Sequence, residues 1–299
     1  MLALIAGTGD LPTQLVQHAT PRPLICALAG FEPALAPDLA FRLEHLGSFL
    51  AELKARGVTR ICMAGAVTRP VIDPAAIDDA TKPLIPLLQS AMSKGDDGAL
   101  RGIIALLEDQ GFAIVAAHQI APALLPEPGV LTQAQPQPPH EDDAARGQEC
   151  VAAMGVADVG QACLIRAAAP VATEGQDGTD AMLDRFILPQ TPDPTGDVLD
   201  TVTDVASDMF DTVADWLVGP AVDRPDAGGA ILFKAPKPGQ DRRADLPVIG
   251  PGTARRAARA GLAGIVVEAG GVMVLHRADV VQALDAAGLF LWVRPRGDT

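Results

Sequence analysis

The strongest constraint in this sequence is a rhythm of short apolar runs and longer helical ones. Met1 to Ala6 (MLALIA) and Leu24 to Ala29 contain no polar residue, and Val58 to Val67 and Phe112 to Ala117 are predominantly apolar. Between them lie segments of helical spacing: Leu46 to Arg56, closed by Gly57, then Ala75 to Ser93, then Gly98 to Gln110, closed by Gly111. A strand with no polar face must be buried on both sides, the condition of a parallel sheet between two helix layers. The first part of the chain is therefore expected to form a doubly wound α/β domain with a Rossmann-like parallel sheet.

Residues 126 to 143 carry Pro126, Pro128, Pro136, Pro138 and Pro139 with glutamines between them, the composition of an interdomain crossing. Beyond it the rhythm resumes. A helix is expected over residues 142–154, a strand over 161–167, and a less regular segment over 171–184. The tail predicts a strand at 231–234, a helix at 251–260, strands at 264–268 and 272–275, a helix at 278–287 and a strand at 289–293. A length of 299 residues suits two domains; we place them at 1–130 and 131–299. One segment breaks the pattern. Asp197, Asp200, Asp204, Asp208, Asp211 and Asp215 recur every three or four residues, and Val198, Val202, Val205, Met209, Val213 and Trp216 follow one step behind. Near 189–224 this predicts an acidic amphipathic helix. Its carboxylates lie along a helix, not at alternate positions of a loop, so a solvated face explains them better than Ca²⁺.

Charge narrows the function. Lys and Arg number 23 against 37 Asp and Glu, a net −14. Such a chain repels nucleic acid, and a phosphate-bearing ligand would need a local basic pocket or a metal. The absence of tyrosine excludes dehydrogenases that donate a proton from a phenol. Cys26, Cys62, Cys150 and Cys163 form no C-x-x-C pair and are expected to be reduced, mostly buried thiols. The histidines are scattered singly, without zinc-helix spacing. No signal peptide is expected, and the longest apolar region, 261–275, is interrupted by Glu268 and glycines, so no membrane span is expected.

Four segments carry candidate chemistry. Gly7-Thr8-Gly9-Asp10 follows the first strand like half of a dinucleotide fingerprint, in which glycines let backbone approach a phosphate. Pro12 replaces the third glycine and no acid ends the second strand, so an NAD(P) oxidoreductase is the weaker reading beside a tight turn or a sugar or anion contact. Gly95-Asp96-Asp97-Gly98 fits either a helix cap or a ligand for metal or ribose. Glu174, Asp177 and Asp180, with Gly175 and Gly178 among them, offer the oxygen density hard cations require, or an acidic turn. The richest stretch is Lys234-Ala-Pro-Lys-Pro-Gly-Gln-Asp-Arg-Arg-Ala-Asp-Leu-Pro247. Its prolines fix the backbone, and its interleaved cations and carboxylates suit phosphoryl transfer, where positive groups neutralise oxygens and a carboxylate binds Mg²⁺ or takes a proton.

Taken in order, AGTGDLP (6–12), GDD (95–97), DVGQ (158–161), GTDAML (178–183), KAPKPGQDRRADLP (234–247) and AGLAGIVVEAG (260–270) resemble the LpxI-type UDP-2,3-diacylglucosamine pyrophosphatases of lipid A biosynthesis. The resemblance covers nearly the whole chain except about 189–224, which looks like an insertion. Asp177 stands where the family tends to carry Glu. The resemblance implies two α/β domains with a ligand cleft between them and Mg²⁺-dependent hydrolysis of the lipid's pyrophosphate to UMP and 2,3-diacylglucosamine 1-phosphate. On that reading Asp241 is the chief Mg²⁺ ligand or base, Asp245 its partner, and Gln240 orients the nucleophile. Glu174, Asp177 and Asp180 complete the metal shell. Lys234, Lys237 and Arg243 neutralise phosphate, and Gly7, Gly9, Asp10, Asp96, Asp97 and Thr179 contribute to substrate binding. The expected partner is the UDP-diacylglucosamine lipid, with no nucleic acid, at most peripheral contact with the inner membrane from the cytoplasm, and a homodimeric state. A non-catalytic sugar-nucleotide-binding protein is the other alternative.

Overall fold

Leu2–Ala6 (β1) lies at the centre of a five-stranded sheet whose other members are Leu24–Leu28 (β2), Leu39–Phe41 (β3), Arg60–Ala64 (β4) and Ala113–Ile114 (β5). The computed structural model describes residues 1–31, 33–67, 70–93, 96–157, 159–187 and 226–296, with backbone only at 92, 96 and 97. The expected helix near 189–224 and Asp158 lie outside the described residues. The strand order is β3-β2-β1-β4-β5, and all pairs are parallel. Alternate residues face opposite helix layers. Ala3, Cys26 and Ile61 pack with Phe49, Leu53 and Leu107 on one side, while Leu4, Ile25 and Cys62 pack with Leu15 and Leu124 on the other. Both faces are covered, which is why the strands are apolar throughout.

The helices of this half are Leu11–His18 (α1), Leu46–Ala55 (α2), Ile85–Met92 (α3), Asp96–Asp109 (α4) and the single turn Ala117–Ile120 (α5). Three expectations are corrected. The helical stretch 75–93 is broken into 3₁₀ turns at Pro74–Ala76 and Lys82–Leu84 before α3, because Pro74, Pro83 and Pro86 lack the N–H a continuous helix needs. The strand expected over 112–117 pairs only at Ala113–Ile114, then turns into α5. Asp96 and Asp97 fall in the first turn of α4 instead of ahead of it; Gly95 and both aspartate side chains lie outside the described residues.

The chain joins a second sheet at Gly129–Val130 (β6), and Pro138 and Pro139 open the helix Pro138–Val156 (α6), where a missing N–H costs nothing. Ala162–Arg166 (β7), Ala169–Thr173 (β8), Ile231–Lys234 (β9), Gly264–Glu268 (β11) and Phe290–Arg294 (β13) complete this sheet in the order β6-β13-β11-β9-β7-β8. It is mixed: β9, β11 and β13 run parallel, while β7 opposes both β8 and β9, and β6 opposes β13. Val248–Ile249 (β10) and Met273–Val274 (β12) form a separate parallel pair. Gly178–Asp184 (α7), Pro251–Arg259 (α8) and Arg277–Ala286 (α9) are the remaining described helices. Leu246, Met273 and Leu275 belong to one apolar cluster with Leu4, Ala6 and Leu15, which crosses from the first sheet into the second half.

Three of the four cysteines are buried and all four are free; burial pushes the Cys26 and Cys62 thiols up to about 12. Among the described residues no helix is long and apolar enough to cross a membrane.

Candidate active site

The strand order reverses direction between β1 and β4, and in open parallel sheets such a reversal opens a crevice at the carboxyl ends of the strands. Here the two strand ends close on each other. Thr8 N–H donates to the Ala66 carbonyl and Ala66 N–H returns the bond to Thr8, each at 2.9 Å. A Cβ on Gly7 would lie 2.5 Å from the Ala66 oxygen, and one on Gly65 would lie 2.7 Å from the Gly7 carbonyl carbon. Gly7 thus serves backbone-to-backbone contact. Gly9 has open space around its α-carbon and lines the pocket described next. Asp10 precedes α1 with its carboxylate 3.7 Å from His276 Nε2, a contact between the two halves.

Beyond that seam lies a pocket of about 280 Å³. The first half contributes Thr8, Gly9, Gly65 and His118, and the second half contributes Arg242, Arg243, Asp245 and Leu246. A larger, shallower groove of about 780 Å³ beside α9, lined by Arg277, Val281 and Asp285, holds none of the expected residues.

The loop that brings the charges to the pocket is folded by its own sequence. Pro238 and Gly239 occupy the two central positions of a turn closed by Gln240 N–H on the Lys237 carbonyl at 3.2 Å. Gly239 has φ +76°, the left-handed value such a turn demands after proline. The Gln240 side chain then faces inward. Its Oε1 accepts from the Lys237 N–H at 3.0 Å, and its Nε2 donates to Asp245 Oδ2 at 2.6 Å and to Gln161 Oε1 at 3.3 Å. Gln240 therefore orients Asp245, the expected carboxylate that reaches the pocket.

Behind this loop a polar chain is buried in the second sheet. Lys234 Nζ donates to Thr179 Oγ1 at 2.7 Å, Thr179 donates to Glu174 Oε1 at 2.6 Å, and Gln161 N–H donates to Glu174 Oε2 at 2.6 Å. Burial pulls the Lys234 amine below the ordinary lysine range, and the charges of Glu174, Asp180 and Asp245 oppose that shift. Lys234 is thus bonded to Thr179 and is not among the residues that line the pocket.

The cations that reach the pocket are Arg242 and Arg243. Arg242 donates to Glu268 at 3.1 Å. Arg243 holds both oxygens of Asp241, Nε on Oδ1 at 3.0 Å and Nη2 on Oδ2 at 2.7 Å, and reaches Glu108 of α4 at 2.6 Å. These bonds hold the Asp241 carboxyl below, and the Arg243 guanidinium above, their usual ranges. Arg101 of α4 donates to the Gly239 carbonyl at 3.3 Å, a second tie from the first half to the loop.

The acids expected to share a metal are separated. Asp177 pairs with Arg185 at 2.7 Å, and Asp180 with Arg256 at 3.0 Å, both half-exposed. Glu174 is committed to Thr179 and Gln161, and Asp241 to Arg243. Among the described residues no three His, Cys, Asp or Glu side chains come together in a way that would hold an ion. As they stand, these side chains do not form a cage for Mg²⁺. Sequence reasoning also missed Arg242, Gln161, Glu108, Glu268 and His118. Arg242, Gln161 and Glu268 stood inside the motifs given above; His118 carried only the signal of following a strand's carboxyl end.

Comparison with known proteins bears on the whole chain. A family model described as the LpxI N-terminal domain matches residues 1–124, and one described as the LpxI C-terminal domain matches residues 127–292. A protein of Caulobacter vibrioides named UDP-2,3-diacylglucosamine pyrophosphatase LpxI is 34% identical over 296 residues, covering 97% of this chain and 96% of the relative.

Proposed function

Because the chain belongs to the LpxI family, we propose that it hydrolyses the diphosphate bond of UDP-2,3-diacylglucosamine, releasing UMP and 2,3-diacylglucosamine 1-phosphate for lipid A biosynthesis. The observation that carries this reading is the pocket in which Arg242, Arg243 and Asp245 from one loop face Thr8, Gly9 and His118. A pocket of about 280 Å³ is at the lower end for small-molecule sites, enough for the diphosphate and part of one neighbouring sugar, not for two acyl chains. The chains would run outward past Ala66, where Val67 is 46% and Val71 95% exposed. Peripheral contact with the cytoplasmic face of the membrane belongs to the same reading.

The residues divide the work. Arg242 and Arg243 neutralise the diphosphate as negative charge builds on its oxygens. The substrate competes with Asp241 for the Arg243 guanidinium, and the Asp241 carboxylate is released as the phosphate takes its place. Asp245, fixed by Gln240, accepts a proton from water. The water oxygen bonds to the sugar-side phosphorus, the bond from that phosphorus to the bridging oxygen breaks, and UMP leaves. Mg²⁺ remains part of the proposal as an ion brought in on the diphosphate, since Mg²⁺ is commonly held by one or two carboxylates with substrate oxygens and water. It would supply further charge neutralisation.

The test is incubation of purified protein with UDP-2,3-diacylglucosamine and Mg²⁺ in ¹⁸O-water. UMP should form and the label should enter the lipid phosphate. No UMP would overturn the hydrolase, and label in UMP would reverse the direction of attack.

A further inference from the structure

His118 lies in α5, beyond the carboxyl end of β5, and lines the pocket together with Arg242 and Asp245. No hydrogen bond involves its ring among the described residues, and Nδ1 is buried without a partner. A buried polar atom left unpaired in a native protein calls for an explanation, since its desolvation is uncompensated. Packing alone does not supply one, because a phenyl or leucyl group would fill the same space without an orphaned nitrogen.

The chemistry of the ring fixes its state. An unpaired buried nitrogen is tolerated better as a lone pair than as an N–H, so Nδ1 carries the lone pair and Nε2 carries the proton. Burial, reinforced by the nearby Arg242 guanidinium, holds the imidazole below its ordinary pKa, so it is neutral at neutral pH. A neutral donor suits this pocket: it adds a directed N–H for an anionic oxygen without another cation to be desolvated. Thr8 and Gly9 close the same wall, and neither offers a side-chain N–H.

We infer that His118 contacts the substrate directly, its Nε2–H donating to a phosphate oxygen of the diphosphate ester held between Arg242 and Asp245. The inference rests on the function proposed above for its substrate, but the contact is to phosphate and is measurable without turnover. With ¹⁵N-labelled histidine, the His118 resonances should report the Nε2–H tautomer, and addition of UDP should shift Nε2. In steady-state assays His118→Phe should lose about 10- to 100-fold in kcat/KM, the worth of one hydrogen bond to a charged group. His118→Gln, which keeps a side-chain N–H, should recover part of the loss. His118→Phe should melt no lower than wild type, because it removes an unpaired polar atom. Unmoved His118 resonances in saturating UDP, or a folded His118→Phe with wild-type kcat/KM, would overturn the inference. Should the lipid go unhydrolysed while UDP still moves Nε2, the proposed reaction fails and the phosphate contact stands. If His118→Phe does not fold, the titration of the wild-type protein decides.

Discussion

Thr179→Val removes one hydroxyl from the middle of the buried chain and leaves its volume almost unchanged. Two charge-assisted hydrogen bonds disappear, from Lys234 at 2.7 Å and to Glu174 at 2.6 Å, while all three residues are at most 7% exposed. Hydrogen bonds to charged groups contribute about 1.5–3 kcal/mol each, which sets a gross loss of roughly 3–6 kcal/mol. The added methyl returns about 1 kcal/mol through burial, and relaxation of Lys234 toward Glu174 recovers more, so the net cost should be about 3 kcal/mol. Urea unfolding followed by Trp292 fluorescence, in a Trp216→Phe background, reads the second half directly. With a slope of about 3 kcal/mol/M the midpoint should fall by about 1 M. A double-mutant cycle with Lys234→Met separates the mechanism from simple repacking, because the two losses should overlap by more than about 1 kcal/mol. A net cost below about 1 kcal/mol, or strict additivity, would refute the reasoning that this chain is one compensated unit.

Three further outcomes follow from the site. Asp245→Asn should lower kcat by about 10²- to 10⁴-fold with little change in KM, the usual scale for a lost general base, and a near-normal kcat, measured by UMP release, would remove it from the mechanism; Asp241→Asn, which no longer competes with substrate for Arg243, should lower KM while kcat stays near normal, and a raised KM would contradict that competition. Because Lys234 has a depressed pKa when folded, the unfolded chain holds its proton over a window ending near the ordinary lysine value of 10.5, where the folded chain has lost it. Stability should therefore rise with pH through that window, relative to Lys234→Met, in paired urea titrations, and parallel curves would contradict the assignment. EDTA should abolish UMP release and Mg²⁺ or Mn²⁺ restore it; full activity in chelator would remove the metal from the reading.

The parts of the fold that were legible were those fixed by local pattern. β1 and β2 are apolar on both faces, β9 and β11 are apolar up to their closing Lys234 and Glu268, and the Gly57 and Gly111 stops mark real helix ends. What escaped lacked a local signal. β3 has only three residues, just after Pro37. The β7–β8 hairpin turns on Ala167 and Ala168, with φ of 52° and 56°, values that hairpins usually assign to Asn-Gly. That turn is held by Ala168 N–H donating to buried Asp143 at 2.6 Å, a partner 25 residues away. The site divides the same way. The proline-framed block at 234–247 announced itself, but which of its charges would face the pocket depended on Glu108 and Glu268, partners no spacing could indicate. Lys234 and Arg243 look alike in sequence; one ends in the protein interior and the other at its mouth.

The Thr8–Ala66 bridge also limits what this scaffold can become. A ligand wedged between the β1 and β4 ends at Gly7 and Gly65 would have to unzip that seam, giving up both N–H···O=C bonds. Writing a third glycine in place of Pro12 would complete the fingerprint on paper without loosening that seam, because two main-chain bonds hold it whatever side chain stands at position 12.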